Sequence, residues 1–167
     1  GAQAALYHHF GIEKELLPQK MFGVFQHRVL RPANPLVRGF DEVFWAPHSR
    51  HTGVRRNQVD ACGALRVLAE SEEAGIYLMS TESGRQIFVT GHPEYEKFTL
   101  DAEYRRDAAK GLPIGLPKNY YPQDDPAREP LYRWRAHAFL LYTNWLNYYV
   151  YQNTPYDLRR LQGLEED

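Results

Sequence analysis

The chain has 167 residues, of which 43% are hydrophobic and 25% charged, and its formal net charge is −1. That length suits one domain with a sizeable core, and the mixture is that of a globular protein rather than a disordered one. The near-zero charge argues against nucleic acid or an anionic membrane surface as the partner, and no apolar run approaches the roughly 18 residues that span a bilayer.

The chain opens in helix. Ala2, Ala4, Ala5 and Leu6 are strong helix formers, and Gly11 stands where a left-handed helix-ending residue belongs. No initiator Met, no capping Ser, Thr or Asp and no strand introduces this helix, so the chain is expected to be a piece of a longer one, incomplete at its N-terminus. Residues 19–30, QKMFGVFQHRVL, read as a strand around Gly23. Residues 40–52, FDEVFWAPHSRHT, read as a short apolar strand, Val43-Phe44-Trp45, running out into a polar loop at Pro47. Residues 65–71 form a further strand, and residues 74–92 form two more, joined by the turn Glu82-Ser83-Gly84.

Residues 98–112 switch to helical period, with Leu100, Tyr104 and Ala108 on one face and Gly111 near the stop. A loop rich in Pro, Asp and Asn covers 113–130. A long last helix is expected from Pro130, which suits a first helical position, through Gln152. Its residues Leu131, Trp134, Ala138, Leu141, Trp145, Tyr148 and Tyr149 recur at the spacing of a core or interface stripe. Helices mixed with short apolar strands favour a three-layer α/β domain with a largely parallel sheet. The one cysteine, Cys62, excludes an internal disulfide, fits a reducing compartment and reads as a small structural hydrophobe.

The segment RQIFVTGHPEYE, residues 85–96, carries the chemistry. In an α/β sheet, reactive groups collect beyond the carboxyl ends of strands, where His92 falls. If the chain stays extended there, His92 and Glu94 point to the same side, and Pro93 stiffens the arrangement. A carboxylate on one imidazole nitrogen fixes the tautomer and leaves the other nitrogen to take a proton, which is the base-and-orienter half of a nucleophilic triad. A loop histidine beside an exposed glutamate is the plain alternative. No nucleophile is evident, since Cys62 has no neighbouring His and no G-x-S-x-G elbow occurs. Ser49, between His48 and His51, reads as substrate-facing or solvated. Metal ligation is not expected: His48 and His51 lack the helical period and Glu of a zinc hydrolase motif, and the adjacent His8 and His9 diverge by about 100° on a helix.

The stretches GAQAALYHHFGI, KMFGVFQHRVL, RGFDEVFWAPHSRHT, LAESEEAGIYLMS, FVTGHPEYE, NYYPQDDP and NWLNYYVYQNTPYDL together resemble the homoserine O-acyltransferases, succinyl- or acetyltransferases of methionine biosynthesis. The resemblance covers essentially the whole chain. It implies the class I glutamine amidotransferase-like α/β fold, with residues 1–167 forming the C-terminal part of a single catalytic domain. It further implies a cysteine nucleophile in a Cys-Trp pair directly before Gly1, His92 as general base, Glu94 as its orienting carboxylate, and Lys20, Ser49 and Arg106 as substrate-contacting residues. The implied partners are L-homoserine and acyl-CoA, the latter a co-substrate, with no cofactor, in a cytoplasmic homodimer that binds neither nucleic acid nor membrane. Acetyl-CoA is slightly favoured as donor, and a chain without the cysteine is expected to be inactive. One departure is Gln26, where many members carry an acid.

Taken on their residues alone, Arg106 could be an exposed partner of Glu103 or Asp107, and Lys20 a solvated charge. Two rival functions stand beside the transferase: an amidotransferase-like hydrolase with the same Cys-His-Glu logic, and a non-catalytic interaction domain that keeps the His-Glu pair.

Overall fold

The computed structural model describes residues 1–154. Helix α1 (Ala2–Phe10) ends on Gly11 in the left-handed region, with the Gly11 N–H on the Tyr7 carbonyl. It leads into β1 (Lys14–Val29), which pairs with β2 (Val43–Val54) on either side of a register shift between Leu16 and Met21. A short helix α2 (Arg56–Cys62) precedes β3 (Leu65–Ser71), β4 (Gly75–Thr81) and β5 (Ile87–Val89). Helices α3 (Thr99–Ala109) and α4 (Arg135–Trp145) complete the elements, with a wide π-helical turn, Leu146–Val150, after α4.

The five strands form one sheet in the order β2-β1-β3-β4-β5. Every pairing between these strands is antiparallel, against the expected largely parallel sheet. The reason lies in the connections. Residues 72–74 join β3 to β4 and residues 82–86 join β4 to β5, too short for the crossover helix that parallel neighbours require. The latter turn is the expected one, closed by Thr81 N–H to Gln86 O, with Gly84 at positive φ.

Three apolar clusters hold the layers. Leu6 of α1 and Val59 of α2 pack with Leu65, Val67, Ile76, Met79 and Phe88 on one face of the β3–β5 region, and Cys62 packs at the margin of this cluster. Leu141 of α4 packs with Leu68, Ala69, Tyr77 and Leu78 on the other. The third cluster joins Phe22 and Val24 of β1 to Leu100 of α3, Tyr120, Tyr121 and Trp134. A sheet between helical layers is the α/β arrangement expected.

Two element boundaries differ from the sequence reading. β2 does not dissolve at Pro47 but continues to Val54, because β1 supplies a ladder partner for each residue from Val43 to Arg50. Pro47 is tolerated because β2 is the outer strand of the ladder, where a missing N–H leaves no central partner unsatisfied. α4 starts at Arg135, not Pro130. Ahead of it, Leu131 N–H is bound to Tyr120 O, and the buried Trp134 indole donates to Tyr95 O at 2.8 Å, so residues 130–134 stay non-helical. Of the stretch NWLNYYVYQNTPYDL, the last four residues lie outside the described residues.

The sheet curls until its two ends meet. Beyond β5, Thr90 N–H still reaches Tyr77 O of β4, and two residues later His92 N–H donates to Pro47 O of β2 at 2.8 Å. Gly91 crosses between them, where a Cβ would stand 2.7 Å from the Tyr77 ring and 2.9 Å from Pro47 O, so only glycine fits without displacement.

Candidate active site

His92 emerges at this seam. Residues 92–95 form a turn closed by Tyr95 N–H to His92 O at 3.1 Å, with Pro93 in the position that its fixed φ favours. The turn, rather than an extended chain, brings the Glu94 carboxylate to His92 Nδ1, 2.7 Å away. With Nδ1 facing the carboxylate, Nε2 is the nitrogen left to exchange a proton. The Tyr95 ring lies flat on the imidazole, 4.3 Å between centroids and 9° between planes, and so fixes its orientation from a second direction. Burial raises the Tyr95 hydroxyl above its ordinary pKa, which keeps it protonated.

His92 and Glu94 line a cleft of about 450 Å³ whose opposite wall is the first turn of α1, with Lys14, Arg50 and Tyr142 completing it. Gln3 ties that turn to β2 twice, its amide donating to Thr52 O at 2.9 Å and accepting from Thr52 Oγ1 at 2.6 Å. Among the described residues, no side chain caps the start of α1. Its terminal N–H groups therefore make this wall the positive end of a helix.

Lys20, Ser49 and Arg106 converge elsewhere, on α3. Phe22 and Ser49 are opposite each other in the β1–β2 ladder, and Lys20 lies two residues before Phe22, so all three share the face turned to α3. Glu103, Arg106 and Asp107 stand at three- and four-residue spacing, the interval that groups side chains on one helix face. Glu103 Oε1 receives both Lys20 Nζ, at 2.5 Å, and Ser49 Oγ, at 2.8 Å. Lys20 Nζ also sits 4.4 Å above the Phe22 ring. Lys20 is 18% exposed and is therefore not the solvated charge it could have been. Hydrogen bonds to such half-sealed charges contribute about 1.5–3 kcal/mol each.

Arg106 is 56% exposed, bonded through Nε to Asp107 at 2.7 Å, with Nη2 4.0 Å from Glu103. That hydrogen bond, first among the causes, holds the Asp107 carboxyl below its usual pKa. The ion pair of so exposed a guanidinium adds little to stability, which leaves it available to a ligand.

The structure thus groups the five anticipated residues into a His92–Glu94 pair and a Lys20–Ser49–Arg106 cluster. It adds three features that were not singled out. Glu103 is the hub of the second cluster, a role invisible until the β1–β2 register is known. Tyr95 stands inside the GHPEYE stretch, where an aromatic three residues after His92 is the signal that could have found it. The third is a sealed pair of imidazoles, His27 and His48, with Nε2 atoms 3.0 Å apart and ring planes inclined at 19°. His48 and His51, considered together as an H-x-x-H pair, point to opposite faces of β2, one buried and one exposed.

By fold, this is a class I glutamine amidotransferase-like α/β protein. The glutamine amidotransferase of Thermotoga maritima superposes with a TM-score of 0.51 at 13% identity, over 85% of this chain and 50% of that one. The crystal structure of SMU.1228c superposes with 0.57 at 15% identity, over 86% and 58%. The family model described as homoserine O-succinyltransferase matches residues 1–156, and the chain belongs to that family. Homoserine O-acetyltransferases are similar throughout. That of Acetivibrio thermocellus is 60% identical over 162 residues, 97% of this chain and 53% of the relative. That of Brevibacillus brevis is 60% identical over 158 residues, 95% and 52%. The chain spans about half the length of the curated relatives it matches. Among the described residues, no helix is long and apolar enough to cross a membrane.

Proposed function

We propose that the full-length protein transfers an acyl group from acyl-CoA to the hydroxyl of L-homoserine through a cysteine acyl-enzyme. The observation that carries the proposal is the His92–Glu94 hydrogen bond at 2.7 Å, opening on a cleft shared with the N-terminal turn of α1. The family resemblance implies a Cys-Trp pair directly before Gly1, which would bring the thiol next to that turn. There the positive end of the helix favours a thiolate and the oxyanion formed when it attacks.

In the first half-reaction the thiolate adds to the thioester carbonyl, the carbon–sulfur bond to CoA breaks, and the CoA sulfur leaves. In the second, His92 Nε2 takes the proton of the homoserine hydroxyl as its oxygen attacks the acyl-cysteine, and the cysteine thiolate is released. Glu94 stabilises the imidazolium that forms. A base of this kind contributes about 10²–10⁴-fold.

The cluster on α3 suits the zwitterionic end of homoserine. Arg106 can hold the carboxylate with two parallel hydrogen bonds, and Glu103 and Ser49 can accept from the ammonium. Lys20 then balances the charge of Glu103. Tyr95, stacked on His92, would set the distance between this end and the base. The names of the relatives favour acetyl-CoA as donor. The resemblance supports a place at the first step of methionine biosynthesis from homoserine, in a cytoplasmic homodimer.

The test is thiol release by the full-length protein given homoserine with acetyl-CoA or succinyl-CoA in parallel. Homoserine-dependent CoA release is the expected result, faster with acetyl-CoA. Ammonia released from glutamine, with no CoA release from either donor, would overturn the proposal in favour of a hydrolase.

A further inference from the structure

Arg50 lines the His92 cleft, yet neither the triad nor the homoserine cluster uses it. Its guanidinium is clamped by neutral acceptors alone: Nε donates to His48 Nδ1 at 3.3 Å, Nη1 to Thr52 O at 2.5 Å, and Nη2 to Ala74 O. Two of its five N–H donors are left over. Among the described residues no carboxylate is paired with it, and Glu94, which lines the same cleft, is engaged by His92. A half-buried cation without a counter-ion is costly, and burial lowers its pKa accordingly. An anion arriving in the cleft would offset that cost. The exposed Lys14 stands on the same wall and adds to the positive field.

The clamp has a defined proton arrangement. An arginine only donates, so His48 must accept at Nδ1 and carry its proton on Nε2, from which it donates to His27 Nε2. Burial lowers the His27 pKa to about 3 and that of His48 well below the usual value, so neither competes with Arg50 for positive charge. Placement also matters. Alternation along β2 puts Ser49 on the α3 side and Arg50 on the cleft side, while His92 hangs from Pro47 of the same strand. A two-substrate reaction with the acceptor on the Ser49 side leaves the Arg50 side to the donor.

We propose that Arg50, positioned by His48, is an anion-binding residue of the cleft and that the anion belongs to the acyl donor, either a phosphate of the CoA portion or the free carboxylate of a dicarboxylic acyl group. This rests on the acyl-transfer reading above. The test uses the full-length protein. Arg50→Gln is expected to raise KM for the CoA donor at least about tenfold, the loss of one charge-assisted contact, while KM for homoserine changes less than about twofold. If the anion is a phosphate, the penalty appears with acetyl-CoA and vanishes with the phosphate-free donor S-acetylpantetheine. If it is the acyl carboxylate, the penalty appears with succinyl-CoA alone. Unchanged KM for both CoA donors, or an equal rise for homoserine, overturns the proposal.

Calorimetric binding of inorganic pyrophosphate and of succinate needs no turnover, so it separates this proposal from the reaction it rests on. Weaker binding of one probe to Arg50→Gln supports the anion site even if the wild type transfers no acyl group; equal binding of both overturns it. Should Arg50→Gln fail to fold, Arg50→Lys, which keeps the charge but not the fork, must show the same weakening. The part played by His48 is read by rescue: His48→Leu should raise the donor KM and His48→Gln, which retains an acceptor, should restore it. A donor KM unmoved by His48→Leu removes His48 from the proposal.

Discussion

His92 and the His27–His48 pair are the same side chain put to opposite uses. His92 is 34% exposed and has a carboxylate on one ring nitrogen, the setting that the proposed base requires. His27 and His48 are 1% and 0% exposed, lie against Phe44 and Tyr77, and stand beside the Arg50 guanidinium, so burial and a neighbouring positive charge both oppose protonation. The difference is made by solvent and partner, and both are decided by the curl of the sheet.

The comparison can be broken most sharply at His92. His92→Ala in the full-length protein should lower kcat by about 10⁴-fold, the upper end for loss of a general base. The buried pair should fail differently, through stability. The His27 pKa falls from 6.5 unfolded to about 3 folded, so the unfolded chain binds the extra proton. Stability is then complete above pH 6.5 and is lost as pH falls towards 3, by up to about 1.4 kcal/mol per pH unit for each such histidine. His48 acts in the same direction. Urea unfolding between pH 7.5 and 4.5 should show this slope, and His27→Gln with His48→Gln should flatten it.

Glu94→Gln should cost about 10²-fold in kcat, less than loss of the base because Tyr95 still orients the ring. Glu103→Gln should raise KM for homoserine about tenfold, since it keeps an acceptor for Lys20 and Ser49 but removes the negative charge that the two share. Arg106→Ala should have the smallest effect, a severalfold rise in the same constant with little change in the rate of acyl-enzyme formation. If pre-steady-state CoA release slowed as much as homoserine use, Arg106 would not belong to the acceptor site.

What could be read from the sequence was local. The GHPE pair, the Gly11 stop, the turn at Ser83-Gly84 and the face of α3 each depend on residues a few positions apart. What escaped depended on register. Nothing in APHSRHT says that Ser49 stands opposite Phe22 and therefore meets Glu103, or that Arg50 turns the other way. The polar letters after Pro47 suggested a loop because a strand polar on both faces has no alternation to betray it. Helices mixed with strands suggest crossovers and so a largely parallel sheet, although the connections between β3, β4 and β5 are too short to be any. The spacing of Trp134 suggests a helix, whereas its indole N–H donates to the Tyr95 carbonyl ahead of α4.

The bond from His92 N–H to Pro47 O has one more use. It is a single amide proton placed where the first and last strands of the curl touch, sealed only while they do. Its exchange with deuterated solvent would therefore time the opening of that contact rather than the unfolding of the whole protein. The backbone of His92 itself would report how often the site comes apart.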